Sequence, residues 1–181
     1  MEFDRVVILK DGRECRLRSG TEQDGQAAFD LFNTTHGQTD YLLSYPDENS
    51  HTPEQEGKFL KAKAESEREI ELLAEVEGKA VGLAGIEAVG WKDKVKHRAE
   101  FGISVDKAYW GLGIGRALMN ACIECAKKAV YAQLELNVVA ENQRAIALYH
   151  SAGFVEFGRN PKGFHSRLTG WQEVALMRLE L

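Results

Sequence analysis

Trp110-Gly-Leu-Gly-Ile-Gly115 is a glycine-dense turn between the apolar run Phe101-Gly-Ile-Ser-Val105 and a helix-like stretch that begins at Arg116. A strand that leads through such a turn into a helix presents unpaired backbone N–H groups at the positive end of the helix dipole, and this arrangement attracts phosphate. The sequence therefore predicts a phosphorylated cofactor at this turn.

Length and composition are those of an ordinary soluble globular protein. The chain has 181 residues, of which 44% are hydrophobic and 28% charged, and it contains only three prolines. We expect one domain spanning residues 1–181. No apolar run approaches the roughly 18 residues that span a bilayer, and the N-terminus lacks a basic-then-apolar signal segment. We therefore expect a cytoplasmic protein with no membrane partner.

Charge and cysteine usage narrow the function classes. A net charge of -5 argues against a nucleic-acid partner and weakly favours cationic substrates. Cys122 and Cys125 form a C-x-x-C spacing, but they lie within a helical apolar pattern, which favours core thiols over redox chemistry or half a zinc site. The five histidines show no ligand spacing. We expect no metal.

Periodicity predicts alternating strands and helices. A hairpin around Asp11-Gly12 opens the chain, two capped helices follow, and three successive strands indicate an antiparallel meander. The aperiodic segment from Thr34 to Ser50 either shapes an acceptor pocket or simply covers the surface. The order predicts a mixed α/β fold, one sheet with helices on its faces. The predicted strands cover residues 6–9, 14–17, 70–76, 80–89, 98–105, 134–139, 154–157 and 174–179.

Two other phosphate-binding motifs fit the glycine turn poorly. A nucleotide P-loop ends in Gly-Lys-Ser/Thr, whereas Gly115 is followed by Arg116 and Ala117. A dinucleotide fingerprint counted from Gly111 places Arg116 where the third glycine belongs, and the strand and helix order upstream is wrong.

The turn instead resembles the acetyl-CoA loop of the GCN5-related N-acetyltransferases (GNAT), Gln/Arg-x-x-Gly-x-Gly/Ala, with Gly113 and Gly115 at the two glycine positions and Trp110 in place of Gln/Arg. A second segment, Asn142-Gln-Arg-Ala-Ile-Ala-Leu-Tyr149 followed by Gly153-Phe154, is similar to the family's N-x-x-A-x-x-L-Y-x-x-x-G-F block. The resemblance covers roughly residues 70 to 160, and two ordered motifs are far more specific than one glycine loop.

The resemblance implies the GNAT acyl-CoA N-acyltransferase fold, a central, mostly antiparallel sheet flanked by helices. It also implies an acetyl-CoA-dependent N-acetyltransferase in which a primary amine attacks the thioester directly, with no covalent enzyme intermediate. We expect a small amine as acceptor. The alternatives are a protein N-terminus, as in ribosomal-protein acetyltransferases, and a non-catalytic acetyl-CoA-binding regulatory domain.

Site residues follow from the turn and from the resemblance. N–H groups of the turn would bind the pyrophosphate, and the backbone of residues 103–105 would pair with the pantetheine arm and hold the oxyanion. By resemblance Asn142 contacts the coenzyme, although a plain helix cap is the simpler role, and Tyr149 is the general acid for the thiolate, unless it is only a core tyrosine. The expected coenzyme-binding residues are Ile103, Ser104, Val105, Trp110, Gly111, Leu112, Gly113, Ile114, Gly115, Arg116, Asn142 and Tyr149.

The sequence contains fewer motifs for the part of the site that would bind the acceptor amine. Because the family often places a carboxylate on the strand before the loop, the resemblance makes Glu100 the candidate base, with Glu87 on the preceding strand as the alternative. Either carboxylate could equally face solvent. We also expect a homodimer in which the C-terminal strand, Trp171 to Leu181, pairs or packs across a two-fold axis.

Overall fold

All eight strands belong to one twisted sheet in the computed structural model, which describes residues 1–181. The strand order is β1-β2-β3-β4-β5-β6-β8-β7, and β5 with β6 is the one parallel pair. This confirms the expected mixed α/β fold with a mostly antiparallel sheet. The strands are β1 (Asp4–Ile8), β2 (Glu14–Ser19), β3 (Ile70–Val76), β4 (Lys79–Ala88), β5 (Arg98–Val105), β6 (Gln133–Val139), β7 (Val155–Ser166) and β8 (Gly170–Glu180).

Four helices cover the two faces: α1 (Gly25–Gly37), α2 (Pro53–Glu65), α3 (Ile114–Lys128) and α4 (Gln143–Ser151). Helices α1 and α2 pack on one face, where Leu31 and Leu60 meet Leu73 and Leu83 of the sheet. Helices α3 and α4 contribute to the larger core on the other face. The sheet therefore separates an α1/α2 side from an α3/α4 side.

Strands β5 and β6 are hydrogen-bonded over only part of their length and then separate. β5 pairs with β4 from Ala99 to Val105, but it pairs with β6 only from Arg98 to Glu100. Beyond Glu135, β6 continues against β8. An opening therefore forms between β5 and β6 beyond Glu100.

The two C-terminal strands are longer than predicted. The predicted strands end at residue 157 and resume at residue 174, but β7 continues through Gly158, Pro161 and Gly163 by register shifts at 156/158 and 160/164. A proline is tolerated there because β7 is an edge strand, which needs no second row of donors. The segment between residues 157 and 174 is thus a long hairpin rather than a loop.

Two other expectations are corrected. Strand β8 lies between β6 and β7, so its edges are already paired from Val174 to Arg178 and are not open to a second copy there, whereas packing of this strand across a two-fold axis stays a prediction. A homodimer stays a prediction, and an edge-to-edge form of it would use β1 or β7. The predicted loop from Thr34 begins later, because α1 continues to Gly37 and the Thr35 hydroxyl donates to the Leu31 carbonyl within the helix (3.0 Å).

The cysteines are buried free thiols, in line with the prediction of core thiols. Cys122 and Cys125 lie on the sheet-facing side of α3, and burial raises the pKa of the Cys122 thiol well above its usual value. No group of three or more His, Cys, Asp or Glu residues lies together in an arrangement that could hold a metal ion. None of the helices is both long enough and apolar enough to cross a membrane.

The capping box of α2 gives a stability prediction. The Gln55 N–H donates to the Thr52 hydroxyl (3.3 Å), and the Thr52 N–H donates to the Gln55 side chain (2.8 Å). We expect Thr52→Ala to lower the free energy of unfolding in urea by about 1 kcal/mol. Thr34→Ala, which removes an exposed mid-helix hydroxyl, should change it by less than about 0.5 kcal/mol. Equal effects of the two changes would contradict the capping role.

Candidate active site

A cavity of about 960 Å³ occupies the opening between β5 and β6. The glycine turn and α4 line one end of it, and residues from the segment after α1 and from β7 line the other. Glu100 and Tyr149 both line this cavity, so the structure brings the two expected catalytic side chains to the same space.

The glycine turn presents a row of free donors. Gly111 (φ +86°) and Gly113 (φ +104°) adopt left-handed backbone conformations, and nothing lies within 4 Å of where a Cβ would be at either. No N–H group from Gly111 to Arg116 donates a hydrogen bond within the protein. The Lys10 N–H anchors the turn by donating to the Leu112 carbonyl (3.1 Å). Six adjacent unpaired donors at the start of α3 make a strong anion site.

Most of the expected turn residues line the cavity, but Leu112 and Ile114 do not. Ile114 is buried in the core, and Leu112 packs against that core. Their side chains therefore anchor the turn, and only their backbone N–H groups are available to a ligand. Arg116 lines the cavity at an exposed position.

The backbone of β5 divides its groups between two neighbours. The register with β4, together with the bond from the Asp106 N–H to the Val81 carbonyl (2.9 Å), shows that the even-numbered residues of β5 direct their backbone N–H and C=O groups to β4. Ile103 and Val105 therefore direct their N–H groups into the opening, whereas Ser104 directs its backbone to β4. The expected pairing partner for a pantetheine arm is thus formed by alternate residues of the segment.

Trp110 modifies this edge. Its indole Nε1–H donates to the Val105 carbonyl (2.7 Å), so that acceptor is already in use. The Arg144 guanidinium lies 4.8 Å from the centre of the Trp110 ring, a cation–π contact between the turn and α4. The residue that departs from the family pattern therefore closes the turn against β5 and α4.

Asn142 and Tyr149 come from α4. Asn142 is the N-cap, since its side-chain oxygen accepts from the Ala145 N–H (3.2 Å), and it also lines the cavity. Both of its expected roles are therefore compatible. Tyr149 packs edge-on against Phe101 of β5, with ring centroids 6.2 Å apart.

Burial raises the pKa of Tyr149 from 10 to about 12, because the apolar surroundings disfavour the phenolate. No charged group contributes to the shift. The phenol therefore keeps its proton throughout the neutral range, which a hydrogen-bond donor to a departing thiolate requires.

Glu100 lies on the opposite face from Tyr149. Ser104 lies four residues after Glu100 on β5, and its partner on β4 is Leu83, which packs with α1 and α2. Residues two apart share a face, so Glu100 points to the α1/α2 side while Phe101 points to the α3/α4 side. Glu87 is directly opposite Glu100 on β4 but does not line the cavity, and Lys63 donates to it (3.2 Å).

The acceptor end is enclosed by two segments in which the sequence shows no motif. Asp40, in the segment after α1, accepts hydrogen bonds from Ser166 (2.6 Å), Thr169 (3.0 Å) and Gln172 (3.1 Å) of the β7–β8 hairpin. The Ser166 bond is the largest cause that lowers the pKa of Asp40. Nearby, the Tyr45 hydroxyl accepts from the Arg167 N–H (2.8 Å). Sequence reasoning missed this cluster because its members lie more than 120 residues apart.

A family model described as "Acetyltransferase (GNAT) family" matches residues 27–154. The chain belongs to the GNAT acetyltransferase family. The match includes the meander, the glycine turn and α4, which together build the donor half of the cavity. The family uses acetyl-CoA, and the row of free N–H groups suits its pyrophosphate.

Individual GNAT relatives agree with this assignment. The chain is 38% identical over 81 residues to "N-alpha-acetyltransferase RimI" of Mycobacterium tuberculosis, a match that covers 45% of this chain and 49% of the relative. The structure is similar to a GNAT-family acetyltransferase from Streptococcus pneumoniae, with a TM-score of 0.88, 29% identity, and coverage of 92% of this chain and 99% of the other. It also shares its fold with a putative acetyltransferase from Salmonella typhimurium solved with acetyl-CoA (TM-score 0.80, 21% identity, coverage of 92% of this chain and 94% of the other). The chain spans about half or less of the curated relatives that it matches first.

The glycine turn gives a binding prediction. In Gly113→Ala the new residue is strained at the backbone angle φ +104°, so the turn should change conformation and the free N–H groups should no longer point to the same place. We expect the KM for acetyl-CoA to rise roughly tenfold, equivalent to losing one hydrogen bond to a charged group, about 1.5 kcal/mol. Gly78→Ala is the matched control, because Gly78 also has positive φ (+77°) and open space but lies in the β3–β4 turn. An unchanged KM in Gly113→Ala, or an equal rise in the control, would contradict this role.

Proposed function

We propose that the protein is an acetyl-CoA-dependent N-acetyltransferase in which residues 1–181 act as one domain. Acetyl moves to a primary amine by direct attack, with no covalent enzyme intermediate and no metal. The observation that carries the proposal is one cavity that is lined by the glycine turn, whose N–H groups are free, by the buried phenol of Tyr149 and by the carboxylate of Glu100.

On the donor side, the backbone N–H groups of residues 111–116 hold the pyrophosphate, with Arg116 as a further charge contact. The Ile103 carbonyl and one of the two free N–H groups of Ile103 and Val105 pair with the pantetheine amides, and Asn142 contacts the coenzyme from the start of α4. Acetyl-CoA supplies the acetyl group as a thioester. In this proposal the thioester lies where β5 and β6 separate.

The reaction requires three proton movements. An alkylamine with a pKa of about 10.4 is almost fully protonated at pH 7, so it must lose a proton before attack. Glu100 accepts that proton directly or through water. As the C–S bond breaks, the Tyr149 hydroxyl gives its proton to the sulfur, and the same apolar surroundings that raise the phenol pKa also favour the neutral thiol over the thiolate. The attacking nitrogen loses its second proton as the amide forms, and that proton restores the Tyr149 phenol.

Negative charge on the thioester oxygen also needs a donor while the amine attacks. The N–H groups of Ile103 and Val105 point into the opening and have no partner on β6. One of them holds the oxyanion. The other remains available to the pantetheine arm.

The acceptor that we propose is a small amine, which fits the enclosed end of the cavity. A protein N-terminus is the second candidate, supported by the similarity to an N-alpha-acetyltransferase. The rival without catalysis is an acetyl-CoA-binding regulatory domain. Turnover of acetyl-CoA over a panel of amines separates these readings, since binding without any transfer would contradict the enzymatic proposal.

Tyr149→Phe tests the acid. Removing the hydroxyl should lower kcat about 10²-fold and leave the KM for acetyl-CoA unchanged, because the ring still packs on Phe101. Tyr131→Phe is the matched control, because Tyr131 is also a buried phenol but lies outside the cavity under Arg68. Because the folded pKa of Tyr149 is raised to about 12, wild-type kcat should show no descending alkaline limb below about pH 11. Unchanged kcat in Tyr149→Phe would exclude it as the acid.

Glu100→Gln tests the base. With an alkylamine acceptor at pH 7 we expect kcat/KM to fall about 10²-fold, and the loss should shrink as pH rises toward the amine pKa of about 10.4, where less deprotonation is needed. Glu87→Gln is compared under the same conditions, since Glu87 is paired with Lys63 and lies outside the cavity. A large loss in Glu87→Gln with none in Glu100→Gln would move the base to Glu87.

A further inference from the structure

An amine that gives a proton to Glu100 approaches the opening from the α1/α2 side of the sheet, because Glu100 points to that side. On β6 the side chains of Leu134, Leu136 and Val138 belong to the core on the α3/α4 side. Side chains alternate along a strand, so Asn137 points to the α1/α2 side together with Glu100. Asn137 is not among the site residues expected from the sequence.

The amide group of Asn137 has no partner within the protein. The side chain is exposed and lines the cavity, and neither its oxygen nor its nitrogen makes a hydrogen bond to another residue. Its surroundings are largely apolar, since Leu176 is its partner on β8 and Leu42, Phe157 and Phe164 line the same cavity. One acceptor oxygen and two donor hydrogens are therefore available to a ligand.

Asn137 and Glu100 stand on the two sides of the opening. The last pair between the strands is Glu100 with Glu135, and Asn137 lies two residues further along β6. A strand spacing of about 4.8 Å and a rise of about 3.3 Å per residue separate the Cβ atoms of Glu100 and Asn137 by about 8 Å. Gly102, two residues after Glu100, has no side chain, and nothing lies within 4 Å of where its Cβ would be. The space between the two polar side chains is therefore open to a ligand.

The carboxylate of Glu135 lies on the same face but already has a partner. The Arg98 guanidinium donates to both of its oxygens, with 2.7 Å between Nη2 and Oε2. Arg178 is the neighbour of Glu135 across β8. The side-chain oxygens that remain beside the point of strand separation are those of Glu100 and Asn137.

Two oxygens at this spacing suit a primary amine. A neutral primary amine has two N–H groups and one lone pair, and a single hydrogen bond to Glu100 would leave it free to turn. Two oxygens that each lie about 2.9 Å from the nitrogen are about 5 Å apart, a gap that the Glu100 and Asn137 side chains can span. With both N–H groups held, the lone pair points away from both oxygens and into the opening, the orientation that attack requires.

We infer that Asn137 is an acceptor-binding residue that orients the attacking amine, its Oδ1 accepting one N–H group of the amine while Glu100 accepts the other. This inference rests on the proposed acetyl transfer and adds a residue to its acceptor side. Asn137 takes no proton, because the proton that the ammonium loses goes to Glu100. The nitrogen lone pair then forms the C–N bond, and the electron pair of the broken C–S bond leaves with the sulfur, which Tyr149 protonates.

Two substitutions separate the acceptor oxygen of Asn137 from the size of its side chain. Asn137→Leu keeps the size and removes the oxygen, so kcat/KM for the amine should fall about 20-fold, the scale of one hydrogen bond to a charged group, while the KM for acetyl-CoA stays unchanged. Asn137→Asp keeps an accepting oxygen and should equal or exceed the wild type. Asn120→Leu is the matched control, because Asn120 is also exposed but lies on α3 outside the cavity.

A double variant tests whether Asn137 faces the same amine as Glu100. In Glu100→Gln the base is lost, and a carboxylate at position 137 would accept the proton of the ammonium from the other side of the opening. We expect Glu100→Gln with Asn137→Asp to recover kcat/KM at pH 7 at least about tenfold over Glu100→Gln alone, as general-base catalysis predicts. Glu100→Gln with Asn120→Asp should recover nothing. A purely structural role of Asn137 predicts no recovery in either.

The probes are butylamine, 2-phenylethylamine, spermidine and phenylalaninamide, each assayed with acetyl-CoA. Calorimetric binding of the same amines to the protein saturated with coenzyme A gives a readout that does not depend on turnover. Unchanged kcat/KM in Asn137→Leu, an equal loss in Asn137→Asp, or no recovery in the double variant would overturn the inference and leave the proposed acetyl transfer intact.

No transfer to any amine by the wild type would overturn the proposed function, and calorimetry then decides the inference. Weaker binding in Asn137→Leu with retained binding in Asn137→Asp supports the contact. Equal binding to the wild type and both variants, or binding of no amine, contradicts it.

Discussion

The site depends on the point at which β5 loses its pairing with β6. Backbone N–H and C=O groups inside a sheet need partners, and beyond Glu100 the outward-facing groups of β5 have none on β6. One carbonyl is satisfied by the Trp110 indole. The rest form a strip of donors and acceptors that continues into the free N–H groups of the glycine turn. In the proposed function this strip binds the amides and phosphates of the coenzyme.

The same opening joins the two faces of the sheet. Tyr149 reaches it from the α3/α4 side and Glu100 from the α1/α2 side, as the alternation along β5 requires. The proposed proton donor and proton acceptor thus lie on opposite faces of the sheet.

Local sequence signals predicted the donor half well. The Asp11-Gly12 hairpin, the meander, the capping box at Thr52 and the Asn142 cap all form where they were expected, because each depends on residues close together in the chain. The acceptor half depends on contacts between distant segments. The hydrogen bonds of Asp40 form only when the β7–β8 hairpin is in place. The full length of that hairpin was not predicted, because Pro161 is tolerated there only through the edge position of β7 and its register shifts. The sequence around Trp110 likewise gave no indication that its indole N–H would donate to the Val105 carbonyl.

Amide hydrogen exchange with and without acetyl-CoA tests the central claim most directly. If the coenzyme binds along the unpaired edge of β5 and in the glycine turn, saturating acetyl-CoA should protect the amides of residues 111–116 together with Ile103 and Val105. The amides of Gly102 and Ser104, which β4 already pairs, should change little. Protection elsewhere, with none at residues 111–116 and no difference between the alternate residues of β5, would contradict the account.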